Sequence, residues 1–198
     1  YYFDTSQHIL LNNLKLLNLL NISHDNVQDP QLYSLKAIDS IKLKLAKKNI
    51  SNFLIFHPSS QYQYKIYPRF LRNQLLTSLN DLELPIIITG SKNKIDLAIS
   101  KEIPILSNVY NMIGKTSLEE YLALSDLALA YVGMDTLNMH IAASQNKRIF
   151  AIFGPTNLKI WSPWSNDIKG SASSNKPIQN YGAITIFQSS LPCVACGH

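Results

Sequence analysis

The residues best placed to do chemistry form a short stretch, Asp135-Thr136-Leu137-Asn138-Met139-His140, that follows an apolar run and begins a helical pattern. An acid and a hydroxyl at a strand's carboxyl end can cap the helix that follows. The helix's remaining N–H groups then stay open to a phosphate. His140 falls one turn beyond Thr136, on the same helical face. The same residues also fit a plain helix cap with a histidine packed between helix and sheet, and both readings stand at this level. Earlier in the chain, His57-Pro58-Ser59-Ser60 ends another apolar run, with Lys65 and Arg69 just after it. Small hydroxyl residues there can expose backbone N–H groups to an anion that a lysine neutralises, or form an ordinary polar turn. Thr89-Gly90-Ser91 and Phe153-Gly154-Pro155-Thr156 close two further runs, and Trp161 and Trp164 can stack a base or wedge a loop against the core.

These residues need a frame that brings strand ends together. Apolar runs at 53–57, 85–89, 103–106, 127–132, 148–153 and 183–187 read as strands. Helical patterns at 68–79, 94–100, 118–125 and 137–144 lie between them, and Ser117 with Glu120 forms a capping box. Continuous apolar strands separated by helices predict an α/β fold: a Rossmann-like parallel sheet with helices on both faces. Ligands in such a sheet bind beyond the carboxyl ends of the strands. Two helices, at 9–20 and 35–48, precede the first strand. Residues 1–50 therefore read as an interdomain linker with bridging helices, and 51–198 as the Rossmann-like domain.

Bulk properties narrow the classes. An apolar share of 46% suits a globular core, and a charged share of only 16% leaves much of the surface to Asn, Ser and Gln. The net charge of +5 is compatible with an anionic partner or with a modest lysine excess. No apolar run approaches the length of a membrane span, and the opening residues lack signal-peptide order. No aromatic-basic sheet face of the kind that reads single-stranded nucleic acid is present, so nucleic acid is not expected as a partner. Gly-rich dinucleotide, P-loop, HExxH and GxSxG signatures are absent too. Cys193 and Cys196, with His198, have ligand-like spacing, but one such pair fits an unpaired or disulfide-capable tail better than a zinc site, and no metal is expected.

Taken together, the motifs resemble the C-terminal half of the lipopolysaccharide heptosyltransferases, glycosyltransferase family 9. That family carries Asp-Thr-Gly-Pro-Met-His, then an Ala-rich helix, a strand and Phe-Gly-Pro-Thr. Here the order is Asp135-Thr136-Leu137-Asn138-Met139-His140, Ile141-Ala142-Ala143, 149–152 and Phe153-Gly154-Pro155-Thr156. The Ser59-Ser60 turn with Lys65, Thr89-Gly90, and Gly114-Lys115-Thr116-Ser117-Leu118 also match in order and spacing. The resemblance implies the C-terminal domain of a GT-B type enzyme that transfers heptose, or a related sugar, from an ADP-sugar to the lipopolysaccharide or lipooligosaccharide core. It implies that Ser59, Ser60 and Lys65 face the donor phosphates, with Asp135, Thr136 and Leu137 around the diphosphate and sugar. Thr116 would lie beside the adenine, and His140 beneath the loop as support or as a ligand contact. The nucleotide sugar is then a substrate, and no cofactor is needed.

The chemistry implied is inverting transfer, in which a carboxylate removes the acceptor hydroxyl proton while phosphate contacts stabilise the leaving diphosphate. That base is expected in the N-terminal acceptor domain, which these residues do not supply, so no catalytic residue is assigned. Leu137 and Asn138 replace the family's Gly-Pro, and Lys92, Asn93 and Lys94 stand where relatives hold the ribose with an acid. Asp96 is a poorly spaced substitute. The implied location is the cytoplasm, at the inner-membrane face, with the lysines of 42–48 available to an acidic lipid surface. A non-enzymatic alternative, a nucleotide-binding or scaffolding remnant, fits the short length and Leu137.

Overall fold

In the computed structural model, which describes residues 3–23, 33–191 and 194, the apolar runs become one seven-stranded sheet. Its strands are β1 (Leu54–His57), β2 (Ile86–Ile88), β3 (Val109–Asn111), β4 (Ala130–Met134), β5 (Arg148–Phe153), β6 (Ile178–Tyr181) and β7 (Ile184–Gln188). Their order is β3-β2-β1-β4-β5-β7-β6, and every pair is parallel except the β6–β7 hairpin. From β1 the chain winds outward to β3, then crosses back to β4 and winds the other way. The switch point of this doubly wound sheet therefore lies between β1 and β4.

The helices among the described residues are α1 (Ile9–Leu19), α2 (Leu35–Ala46), α3 (Arg69–Asn80), α4 (Lys94–Glu102), α5 (Leu118–Leu127), α6 (Leu137–Ser144) and α7 (Leu158–Trp161). Because strand side chains alternate faces, Ile55, Ile87, Tyr131 and Ala151 join one core with Ile41 and Leu45 of α2, Leu124 of α5 and Met139 of α6. Phe56, Ile88 and Val132 join a second core with Leu76 of α3 and Ile99 of α4. Helices thus cover both faces, and α2 belongs to the same packed core as the sheet. The Ser117–Glu120 capping box starts α5 as expected.

Three strand expectations need correction. Residues 103–106 form no strand: Pro104 cannot donate to a ladder, and the sheet edge is β3, further along at Val109–Asn111. The fourth strand begins at Ala130 because α5 continues to Leu127. The antiparallel β6 was not expected, since Ile178-Gln179-Asn180-Tyr181 reads as polar. Cys193, Cys196 and His198 fall outside the described residues.

One glycine fixes the geometry at the switch point. Gly133 of β4 pairs with His57 of β1, and a Cβ there would lie 2.5 Å from the His57 carbonyl oxygen and 2.8 Å from the Tyr131 hydroxyl. Only a residue without a side chain lets the carboxyl ends of β1 and β4 lie this close above the buried Tyr131.

Candidate functional site

A cleft of about 400 Å³ opens at the carboxyl ends of β1, β2 and β4, over the switch point. It gathers Ser59, Ser60 and Lys65 from beyond β1, Ser91, Asn93 and Asp96 from beyond β2, and Asp135, Thr136, Leu137, Asn138 and His140 from the end of β4 and the start of α6. Seven of the eight residues expected at the site thus meet in one place. Thr116 does not line the cleft; it sits in the turn before α5. Of the two tryptophans, Trp161 borders the cleft, while Trp164 packs on His8 with ring centroids 5.2 Å apart.

At the centre is Asp135. Its Oδ2 accepts from Lys65 Nζ at 3.1 Å and from Thr156 Oγ1 at 2.8 Å. Lys65 closes a single 3-10 turn (Gln63–Lys65), which brings its side chain across from β1 to β4, and both partners are largely shielded from solvent. Such a pair fixes geometry more than it adds stability. An ammonium has more than one N–H, so Lys65 can serve Asp135 and a second anion together.

Behind Asp135, Thr136 is the N-cap residue of α6 with extended backbone, yet its side chain makes no capping bond. The expected cap by Asp135 or Thr136 is therefore not made: Asp135 is turned toward Lys65, and the Thr136 hydroxyl lies 3.5 Å from the Tyr131 hydroxyl. The first N–H groups of α6 are left to whatever enters the cleft. Leu137, at the first helical position, is 61% exposed, so its bulk projects away from the core.

Asn138 does something that its place in the sequence did not suggest. Its side-chain nitrogen lies 2.9 Å from His57 Nδ1, which is also 3.1 Å from Thr89 Oγ1. The start of α6 is thereby latched to the ends of β1 and β2. Burial pushes the His57 pKa down to about 4, against the opposing pull of Asp96 and a backbone contact with Thr89. The imidazole is thus neutral at physiological pH. His140 is likewise pushed below the ordinary histidine range by burial, with Asp135 acting to raise it and His8 to lower it further. His8 reaches the region from the start of α1, where its Nε2 lies 2.7 Å from the Ser162 carbonyl oxygen.

Asp96 is buried at the opposite wall. Ser59 Oγ and the Ser91 N–H both donate to its carboxylate, tying the β1 and β2 loops together, while its own N–H is capped by Asn93 at 2.7 Å. Asn138 is thus a site residue that the sequence does not mark, while Asp96 is offered there only as a poorly spaced substitute for the ribose-holding acid and Thr156 as a phosphate donor or the start of the next turn. Asn138 and Thr156 follow β4 and β5 within four residues, a signal that Asp96, in the first turn of α4, does not share.

Fold and cleft together define a Rossmann-like α/β domain whose polar, lysine-bearing cleft lies where such domains take their ligands. The chain belongs to glycosyltransferase family 9 (heptosyltransferase), which residues 2–189 match. Lipopolysaccharide heptosyltransferase 3 of Escherichia coli is 25% identical over 165 residues, which cover 81% of this chain and 48% of that protein. Among solved structures, a family 9 glycosyl transferase from Veillonella parvula superposes with a TM-score of 0.72 at 15% identity, covering 96% of this chain and 51% of the other. The Escherichia coli heptosyltransferase WaaC with ADP gives 0.64 at 16% identity, covering 96% and 52%. The chain thus spans about half the length of the relatives it matches.

Proposed function

We propose that this chain forms the donor-binding half of an inverting glycosyltransferase that moves heptose, or a related sugar, from an ADP-sugar to the core of lipopolysaccharide. The observation that carries the reading is the Lys65–Asp135–Thr156 cluster beside the uncapped start of α6, in a cleft at the sheet's switch point. A diphosphate seated there would meet the Lys65 ammonium and the first N–H groups of α6. These donors strengthen as charge develops on the leaving diphosphate, which is how preorganised groups accelerate transfer. Asp135, held by Lys65 and Thr156, is oriented to accept from sugar hydroxyls. No general base is assigned to it: its charge is already engaged, and the base for the acceptor hydroxyl is expected from the partner half of the cleft.

ADP as the nucleotide is supported by the relative solved with ADP. A cytoplasmic location at the inner-membrane face accords with the proposed pathway, and no helix among the described residues is long and apolar enough to cross a membrane.

The test is calorimetric titration of the chain with ADP, UDP and GDP, repeated on Asp135→Ala, with circular dichroism to verify folding. Selective ADP binding that weakens in the variant is expected. A folded chain that binds no nucleotide would remove the reading and leave a structural role. A nucleotide-binding module without transfer activity, consistent with the exposed Leu137 at the α6 start, would bind ADP but transfer no sugar when completed with an acceptor domain.

A further inference from the structure

At the end of β1, His57 lines the cleft while only 7% exposed. Its Nδ1 faces the Asn138 side-chain nitrogen at 2.9 Å and Thr89 Oγ1 at 3.1 Å. An amide nitrogen can only donate, so Nδ1 accepts from Asn138. The imidazole is neutral and carries one proton, which must then sit on Nε2. Among the described residues nothing bonds Nε2. Nor is that nitrogen sealed away: the buried side-chain polar atoms without a partner, among the same residues, are Gln145 Oε1 and Gln188 Oε1. Asp96, whose charge acts on the ring, is engaged by Ser59 Oγ and the Ser91 N–H instead. His57 thus presents one open N–H in the cleft.

We propose that His57 is a ligand-binding residue whose Nε2–H donates to a phosphate oxygen of the nucleoside diphosphate, with Asn138 fixing the tautomer that makes it a donor. This contact rests on the donor reading above and adds a residue to it. Two features select a phosphate oxygen. The Asn138 bond ties the ring to the second residue of α6, so the far side of the imidazole lies beside the helix start whose amides are uncapped. A neutral imidazole whose other nitrogen is spent offers only a donor, which suits an oxygen that only accepts. Asn138 is then a positioning residue, acting on the ligand through His57.

The experiment measures ADP and adenosine affinities by calorimetry on the wild type, His57→Asn and His57→Gln, with melting temperatures to check folding. The amide of an Asn reaches about as far as Nδ1, and that of a Gln about as far as Nε2. His57→Asn therefore keeps a partner for Asn138 but lacks the cleft donor, while His57→Gln restores the donor without the latch. ADP binding should weaken about tenfold in His57→Asn, the worth of one hydrogen bond to a charged oxygen, and His57→Gln should recover most of it. Adenosine, which has no phosphate, should bind all three alike. A purely structural histidine would rank the variants the other way, and that order, or equal ADP affinity in all three, overturns the contact. Long-range nitrogen–proton NMR spectra of the wild type need no variant: the His57 proton should sit on Nε2 and its resonance should move with ADP but not with adenosine. A proton found on Nδ1 overturns the contact as well. Wild-type protein that binds no ADP removes the donor reading itself, and this contact with it.

Discussion

The molecule contains two clusters of nearly the same composition, each a lysine, a carboxylate and a hydroxyl, and their wiring differs. Where α2 meets α5, Glu120 Oε1 accepts from Lys44 at 2.7 Å and Ser40 at 2.6 Å, and its Oε2 accepts from the Ser117 N–H at 3.0 Å. Lys44 also reaches the Lys115 carbonyl at 3.0 Å. Both carboxylate oxygens are engaged. In the cleft, Lys65 and Thr156 converge on one oxygen of Asp135, and among the described residues nothing bonds the other. A saturated cluster fastens two elements together. An unsaturated one, set over the switch point of a parallel sheet, keeps valences for a visitor.

The two clusters should fail in opposite ways. Lys65→Met should weaken ADP binding roughly 10- to 100-fold, the worth of one charge-assisted hydrogen bond, with the melting temperature little changed. A melting temperature that collapses along with the affinity would make the cleft cluster a fastener too. Glu120→Ala should do the reverse. Loss of the capping box and of the Lys44 bond should cost about 1–2 kcal/mol by urea denaturation, with ADP affinity intact.

The fastener should also carry a pH signature. Burial works to raise the Glu120 pKa, but the bonds from Lys44, Ser40 and Ser117 outweigh it and bring the group from 4.5 to about 2. A carboxylate depressed in the folded state stabilises the protein above its unfolded pKa. That contribution fades as pH falls from about 4.5 toward 2. The difference in unfolding free energy between wild type and Glu120→Gln should shrink over that window, and a constant difference would contradict the saturated wiring. The smallest effect is expected at Thr136→Ala, which removes no capping bond and should shift stability by only a few tenths of a kcal/mol.

Much of the frame is legible in the sequence. The runs at 53–57, 85–89, 148–153 and 183–187 are largely apolar because the sheet is sandwiched between helix layers. The edges were harder to read. Val109-Tyr110-Asn111 has one fully paired side and half-buried side chains, so it is short and mixed in character, whereas the apolar Ile103-Pro104-Ile105-Leu106 beside it is loop.

The site divided in the same manner. Ser59, Ser60, Lys65, Asp135, Thr136, Leu137 and His140 follow strand ends, and the parallel topology carries strand ends to one rim. The bonds Ser59–Asp96, His57–Asn138 and Thr156–Asp135 join residues 37, 81 and 21 positions apart. No local pattern announces such partners, because each is chosen by tertiary placement. Thr116 was matched by motif alone, and motif order carries no information about distance from the cleft.

The missing cap on α6 has a dynamic corollary. A helix start without a side-chain cap is where fraying begins, and the amides of Leu137 and Asn138 have no helical acceptor of their own. An anion that settles on those amides closes the frayed turn, so occupancy and local order rise together and each reports on the other. Empty, the protein should exchange the amide hydrogens of this turn readily. Filled, it should protect them, and the latch between Asn138 and His57 would carry part of that quieting into the ends of β1 and β2.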